Sequence, residues 1–197
     1  MDTDFLKAEL TKFNPAFTEE ELNLGLPFFE KKTYQAKDEI LKNGDTCKYL
    51  FIAESSITRC YYYDHEGKEQ TLWMKPEKTL ITEYKSFVHE DPSQFSLQFY
   101  EDTTVYRISR HQLKTLYAQS NAWAQFGVFL TEHVHITLID VFVNLLANDA
   151  TSNYQYIEYA FPRFIQVAPL KDIASMLQVS QVTLSRIRAG KQLKDCS

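Results

Sequence analysis

The order of apolar and polar residues follows two distinct patterns in the first half of the chain. Up to about residue 24 the apolar residues recur at helical spacing, and Thr18 and Glu21 are placed to form a capping box. From Phe28 to about Ile108, short β-branched and aromatic runs alternate with turn signals such as Asn43-Gly44. This alternation predicts an antiparallel β-domain of about eight strands, folded as a barrel or jelly roll.

A helical pattern of unusual length follows, from His111 to about Ala147, without proline and with Gly127 as its one glycine. Apolar residues lie on more than one of its sides, and one stripe recurs at steps of three and four. That stripe consists of Trp123, Phe126, Leu130, Val134, Leu138, Val141 and Leu145. One stripe can face the barrel and another a second copy of the chain, so we assign these residues to the seam of a homodimer. Packing of the whole helix against its own barrel is the alternative.

The segment LKDIASMLQVSQVTLSRIRAGKQ, residues 170–192, predicts two short helices around a turn. The positions that two crossed helices would share as a core are Ile173, Ala174, Leu177, Val179, Leu184 and Ile187. Ser180 is placed to cap the second helix. Gln178 stands where such a turn favours glycine, at a cost of about 1 kcal/mol.

The second of these helices carries a polar outer face. The side chains directed outward are Gln181, Val182, Ser185, Arg186 and Arg188, with Thr183 in the first turn. Short polar residues followed by arginine are the order expected of a helix that reads base edges in the major groove. An ordinary helical hairpin is the alternative.

Charge is distributed unevenly along the chain, whose formal net charge is -5. From Arg163 onward six cationic side chains face two anionic ones, a balance of +4, so that the preceding residues carry -9. An acidic body with a basic C-terminal segment suits a protein that touches phosphates through that segment alone. A solvated basic helix end would give the same balance.

Composition indicates a soluble globular protein, since 44% of the residues are hydrophobic and 14% aromatic. The start MDTDFLKAEL has neither the basic nor the apolar region of a secretory signal. We expect no apolar run that approaches the roughly 18 residues needed to cross a bilayer. The sequence therefore predicts a cytoplasmic protein.

Candidate chemical sites are few. Cys47, Cys60 and Cys196 lie far apart without metal-ligand spacing, which favours neither a disulfide framework nor a zinc site. His133-Val134-His135 imitates a metal-binding pair, but on a helix residues i and i+2 point about 200° apart. No nucleophile, acid-base pair or metal cluster stands at a workable spacing. We therefore expect no enzymatic activity and assign no metal or cofactor.

In this order, the N-terminal helix, β-domain, long helix and helix-turn-helix resemble the Crp/Fnr family of bacterial transcription regulators over essentially the whole chain. The resemblance rests on KYLFIAES with TRCYYYDHEGKEQTLWM, on the strand EDTTVYRIS, and above all on LKDIA followed by TLSRIR. It implies an α+β fold in three parts: a cyclic-nucleotide-binding-like barrel over 1–110, a dimerisation helix over 111–147, and a winged-helix-like helix-turn-helix domain over 148–197.

The resemblance also implies a homodimer that binds double-stranded DNA and acts with RNA polymerase. Gln181, Val182 and Arg186 fall on base-contacting positions, and Lys171, Ser180 and Thr183 fall near phosphates. Arg188 and Lys191 complete the predicted DNA-binding residues. Val182 stands where an acidic residue is common in the family, so the target sequence should differ from that of the cyclic-AMP-responsive members.

The barrel departs from the family's nucleotide cassette in the stretch ITEYKSFVHEDPSQFSLQF. Glu83 and Pro92 stand in register, but Thr82 replaces a glycine and Ser93 replaces the arginine that holds the cyclic phosphate. No arginine occurs between Arg59 and Arg107. We therefore expect an effector other than cyclic AMP, such as an uncharged or aromatic small molecule, or none at all.

Functions of other classes stay open at this point. The barrel could serve as a protein-interaction or small-ligand module that carries a vestigial DNA-binding head. A barrel enzyme ranks below both, because no catalytic constellation was found.

Overall fold

The N-terminal segment folds as two helices in the computed structural model, which describes residues 3–194 and the side chains up to residue 190. Helix α1 spans Thr3–Phe13, helix α2 spans Glu19–Gly25, and a 3₁₀ turn follows at Leu26–Phe28. The predicted helical region is interrupted after α1 because Pro15 cannot continue a helix. The capping box of Thr18 and Glu21 is formed as predicted.

The β-domain is built from eight antiparallel strands in two four-stranded sheets, which confirms the expected β-architecture. The strands are β1 Glu30–Tyr34, β2 Glu39–Leu41, β3 Tyr49–Ala53, β4 Thr58–Tyr63, β5 Glu69–Lys75, β6 Leu80–Ile81, β7 Ser96–Phe99 and β8 Thr103–Ser109. One sheet has the order β1-β8-β3-β6 and the other the order β2-β7-β4-β5. Helix α3, Tyr84–His89, lies between β6 and β7.

The long helical region contains a break that the apolar periodicity did not reveal. It consists of α4, Arg110–Gln119, and α5, Asn121–Ala147. Ser109 caps α4, and Ser120 caps α5 by accepting a hydrogen bond from the backbone N–H of Trp123. A serine cap satisfies one of the unpaired N–H groups at a helix start, so each serine begins a new helix.

The first turns of α5 pack inside their own chain, which corrects part of the predicted dimer seam. Trp123 and Phe126 are fully buried and Leu130 nearly so, in one core cluster with residues of the barrel and of α1 and α2. The indole N–H of Trp123 donates to the backbone oxygen of Glu21, 2.8 Å away, and its ring lies where a side chain on Gly25 would stand. Residues buried this way have no surface left for a second copy of the chain.

The outward face of α5 is apolar along most of its length. By length and composition alone this helix could cross a membrane, which corrects the expectation that no apolar run approaches that size. Only 11% of its most apolar window is buried. A helix that packs against another protein can have the same length and apolar composition. The exposed apolar residues are Val128, Phe129, Ile136, Leu138, Ile139, Val141, Phe142, Val143 and Leu146.

The C-terminal head consists of four helices in its described part: α6 Ala150–Ala160, α7 Pro162–Val167, α8 Leu170–Met176 and α9 Gln181–Lys194. Asp149 caps α6. No strand occurs between residues 150 and 194, so the likeness to a winged helix lies in the helices and not in a wing. The head core includes Ile57 and Met74 of the barrel, so the head rests against the β-domain.

Candidate nucleic-acid interface

Helices α8 and α9 are joined by a short turn, in agreement with the two helices around a turn that the sequence predicts. Ile173, Ala174, Leu177 and Leu184 are buried, and Val179 and Ile187 are half-buried against them. The turn is closed by Gln178, whose backbone adopts φ 55°. This left-handed conformation is the one that glycine adopts without strain.

The start of α9 is fixed by its capping serine. The hydroxyl of Ser180 accepts a hydrogen bond of 3.0 Å from the backbone N–H of Thr183, and the two hydroxyls are 2.9 Å apart. This cap fixes where α9 begins and the direction of its first turn.

The outer face of α9 is open to solvent. Gln181, Val182, Thr183, Arg186 and Arg188 are exposed, as is Lys171 on α8. A shallow groove runs along this face, lined by Leu170, Gln181, Val182, Ser185, Arg186 and Ala189. The predicted base-contacting residues are therefore brought together on one accessible surface. The side chain of Lys191 lies outside the described residues.

The two described arginines of α9 are not engaged elsewhere. Within residues 3–190, neither Arg186 nor Arg188 takes part in an ion pair. Their guanidinium groups are thus available for a phosphate or for the paired acceptors of a guanine, which match the guanidinium fork.

The stretch that resembles the nucleotide cassette is bonded to its own chain. Glu83 is half-buried and caps α3, accepting hydrogen bonds from the backbone N–H groups of Lys85 at 3.1 Å and Ser86 at 2.9 Å. Ser93 is buried, and its hydroxyl bonds the N–H and the carbonyl of Phe95, both at 3.0 Å. The hydroxyl of Thr82 donates to the carbonyl of Tyr49. These polar groups therefore already have partners without a nucleotide.

Two lysines lie near this stretch, and they differ in exposure. Lys85 is exposed, but Lys75 is half-buried, and burial lowers its pKa. The ammonium of Lys75 donates to the carbonyl of Leu80 at 3.2 Å and lies 5.8 Å from the centre of the Trp73 ring. The side chain of Lys75 therefore lies along β5 and does not extend into water.

The remaining sequence candidates stay apart from the interface. Cys47 and Cys60 are buried, and burial raises the pKa of both thiols, which keeps them protonated at neutral pH. Cys196 lies outside the described residues. His133 packs edge-on against Phe13. In the described part of the chain, no group of three or more metal-ligating side chains is assembled.

Sequence reasoning missed the contacts that hold the head on the barrel. Arg59 of β4 and Asp172 of α8 form a buried ion pair of 3.2 Å, and Tyr100 donates to the same carboxylate at 3.1 Å. Burial and the charge of Asp172 raise the pKa of Tyr100. The one available signal was Asp172 itself, an acidic residue in an otherwise basic segment.

Comparison with known proteins finds a family model similar to the barrel and solved structures similar to most of the chain. Residues 31–120 match the family model of the cyclic nucleotide-binding domain. None of the curated proteins compared with the chain matches it.

Three solved structures cover most of the chain. The catabolite activator protein of Thermus thermophilus is 20% identical, with a TM-score of 0.57 over 95% of this chain and 88% of that one. FixK2 of Bradyrhizobium japonicum is 14% identical, with a TM-score of 0.69 over 85% and 86%. CLP of Xanthomonas campestris, a cyclic-di-GMP-responsive global regulator, is 14% identical, with a TM-score of 0.65 over 90% and 93%. At these identities the likeness shows a shared fold.

Proposed function

We propose that this protein is a sequence-specific DNA-binding transcription regulator of the Crp/Fnr type that acts as a homodimer. The observation that carries the proposal is the outer face of α9, where exposed Gln181, Val182 and Arg186 follow a capped helix start. Among the described residues Arg186 has no ion-pair partner. A helix with this surface has the shape and the donor groups to enter a major groove.

Charge supports the same assignment. The barrel and the long helix carry most of the acidic residues, whereas the segment after residue 162 has a balance of +4. DNA would therefore be attracted to the heads and repelled by the body, which orients the encounter.

The proposed dimer forms through the outward face of α5. Phe129, Ile136, Ile139, Val143 and Leu146 are exposed and recur at the steps of three and four that two paired helices require, with Glu132 at the remaining step. This face lies on the side of α5 opposite to Trp123, Phe126 and Leu130. Two copies joined here would present two heads related by a two-fold axis, suited to half-sites about 34 Å apart.

The structural neighbours support regulation as the role, since they include a catabolite activator protein and a global regulator. For this chain we propose a sensor-like barrel over 1–110, a dimerisation helix region over 111–147 and a DNA-binding head over 148–197, with RNA polymerase as the protein partner.

Selection of bound fragments from a genomic DNA pool tests the function. The purified protein should enrich fragments that share a two-fold symmetric site, and each should give a mobility shift that unlabelled copies of the site compete away. Enrichment of no shared sequence, with equal weak binding to all DNA, would favour the module with a vestigial head. Turnover in an activity screen of the barrel would favour the enzyme.

A further inference from the structure

The head is held against an edge strand of the barrel. Strand β5 ends its sheet, and α8 lies along its free side. The backbone N–H of Thr71 in β5 donates to the hydroxyl of Ser175 in α8 at 2.9 Å, and that hydroxyl donates to the side-chain oxygen of Gln70, also at 2.9 Å. A side chain of the head thus satisfies a backbone group of the barrel that has no strand beside it.

A buried arginine lies at the centre of this contact. The side chain of Arg59 is 3% exposed, and each of its three nitrogens has a partner. Nε donates to the hydroxyl of Thr71 at 3.0 Å, Nη1 to Glu69 at 2.9 Å, and Nη2 pairs with Asp172 at 3.2 Å. The guanidinium also lies over the ring of Tyr61, 4.3 Å from its centre. Three of these four partners belong to the barrel, so the barrel fixes the direction in which the guanidinium points at the head.

Asp172 is the head's part of the contact. Its side chain is 5% exposed, and its carboxylate pairs with Arg59 and accepts a hydrogen bond from the hydroxyl of Tyr100. A second ionic contact lies at α7, where Arg163 bonds Glu101 at 2.7 Å and the carbonyl of Ser55 at 3.1 Å. Two separate attachment points oppose rotation of the head about either one.

A buried ion pair resists displacement more than an apolar contact does. Apolar surfaces can slide past each other with little loss of interaction free energy. A guanidinium and a carboxylate that are removed from water need their partners at the right distance and angle. If α8 turned on β5, Asp172 would keep a buried charge without its counter-ion, and Arg59 would be left with Glu69 alone. The orientation seen here is therefore strongly preferred over neighbouring ones.

We propose that Arg59 is a positioning residue for DNA binding, which acts through Asp172 to hold the head in one orientation on the barrel. In a dimer this contact sets the separation and direction of the two α9 helices, and it does so without a bound effector. The inference rests on the proposed DNA-binding function.

Hydrogen exchange at the Thr71 amide tests the contact without DNA, because its partner is Ser175 of the head. Asp172→Asn keeps the shape of the side chain and removes its charge, and Tyr100→Phe removes one hydrogen bond from the carboxylate. We expect Thr71 to exchange about tenfold faster in Asp172→Asn through local opening, with a smaller increase in Tyr100→Phe. The matched control is Arg107→Gln, since Arg107 also pairs with a glutamate, Glu30, and lies over a tyrosine, but in the sheet away from the head. It should leave Thr71 unchanged.

DNA-binding measurements distinguish a contact that orients the head from one that only stabilises its fold. Binding is measured on the selected operator, on a single half-site and on operators with altered spacing. Asp172→Asn should bind the half-site within about twofold of the native protein, because α9 is intact. Its preference for the full operator should fall about tenfold, and altered spacings should be tolerated, because the second contact depends on geometry.

Each other outcome is decisive. Unchanged exchange at Thr71 and unchanged spacing preference would overturn the proposal. Equal loss on half-site and full operator would also overturn it, by showing that Asp172 supports the head's own fold or surface. If the native protein selected no DNA, the proposed function would fail, while the exchange result would still report whether the contact holds the head.

Discussion

Gln178 shows how a single residue can depart from local preference without changing the fold. It is exposed, and its backbone lies in the left-handed region that side chains with a Cβ atom disfavour. The turn persists because the cores of α8 and α9 close over it through Ala174, Leu177 and Leu184. The sequence predicted both the turn and its strain.

Gln178→Gly should therefore stabilise the protein by about 1 kcal/mol, because glycine adopts this conformation without the Cβ clash. Urea unfolding at one fixed protein concentration measures the change. Gln178→Ala keeps the Cβ atom and serves as the control, and it should give no gain. A glycine variant no more stable than the alanine variant would contradict the account of strain.

On the proposed DNA-binding face, Arg186 and Lys171 should differ in role. Arg186→Ala should cost about 1 to 3 kcal/mol on the operator and relax the preference at one base pair, since arginine can bind a guanine edge at two points. Lys171→Ala should weaken binding to all sequences alike and lower the salt dependence, as expected of a phosphate contact. Titrations on operator and random DNA at several salt concentrations distinguish the two. Equal losses on both DNAs for Arg186→Ala would show that it does not read a base.

At the scale of elements, α5 illustrates how periodicity can identify a helix and yet leave its faces unassigned. Two apolar stripes were visible in the sequence, and the one assigned to the dimer begins with Trp123, Phe126 and Leu130, which the chain buries in its own core. The exposed stripe through Ile139 and Leu146 lies on the other side. Val134 is half-buried and packs against the core of its own chain. A charged substitution at Val134 would therefore disturb the fold and could not test the dimer interface alone.

The seam is therefore tested with Ile139→Glu and Leu146→Glu in one chain. Four carboxylates in the dimer interface would lose hydration without gaining partners, and the protein should sediment as a monomer. Thr137→Glu, an exposed position on the opposite side of the same helix, should remain dimeric. A dimer that survives the double substitution would place the interface elsewhere.

At the scale of the whole molecule, the barrel matches a nucleotide-binding domain over residues 31–120, whereas Ser93 stands where the family resemblance expects the arginine that holds a cyclic phosphate. Ser93 is buried and bonded to Phe95, and Glu83 caps α3. A serine hydroxyl cannot neutralise a phosphate, and a phosphate buried without a cation loses its hydration and gains no charge-assisted partner. The acidic balance of this part of the chain adds to the penalty.

Cyclic AMP and cyclic GMP should consequently fail to bind with micromolar affinity. Calorimetric titration of the nucleotide-free protein measures this, and operator binding should be the same with and without either nucleotide. Ser93→Arg is the variant to compare, because it places a cation at the position where the family resemblance expects the phosphate-binding arginine. Micromolar binding to the native protein, accompanied by tighter operator binding, would show that the barrel uses another cation for the phosphate.

The sequence alone determined the features that depend on short separations along the chain. The alternation of strands and turns predicted the two-sheet domain, and the caps at Thr18 and Ser180 located helix starts, because a cap bonds a backbone group three residues away. The spacing within residues 170–192 predicted two helices around a turn and the exposed outer face of the second.

Only the tertiary structure decided which surfaces meet. The burial of Trp123 depends on Gly25, and the orientation of the head depends on the pairing of Arg59 with Asp172, residues that are far apart along the chain. The depressed pKa of Lys75 likewise arises from burial that no local pattern signals. Periodicity shows that a helix has an apolar face, but its partner is chosen by the three-dimensional packing of the whole chain, in which every buried charge must also find its counter-ion.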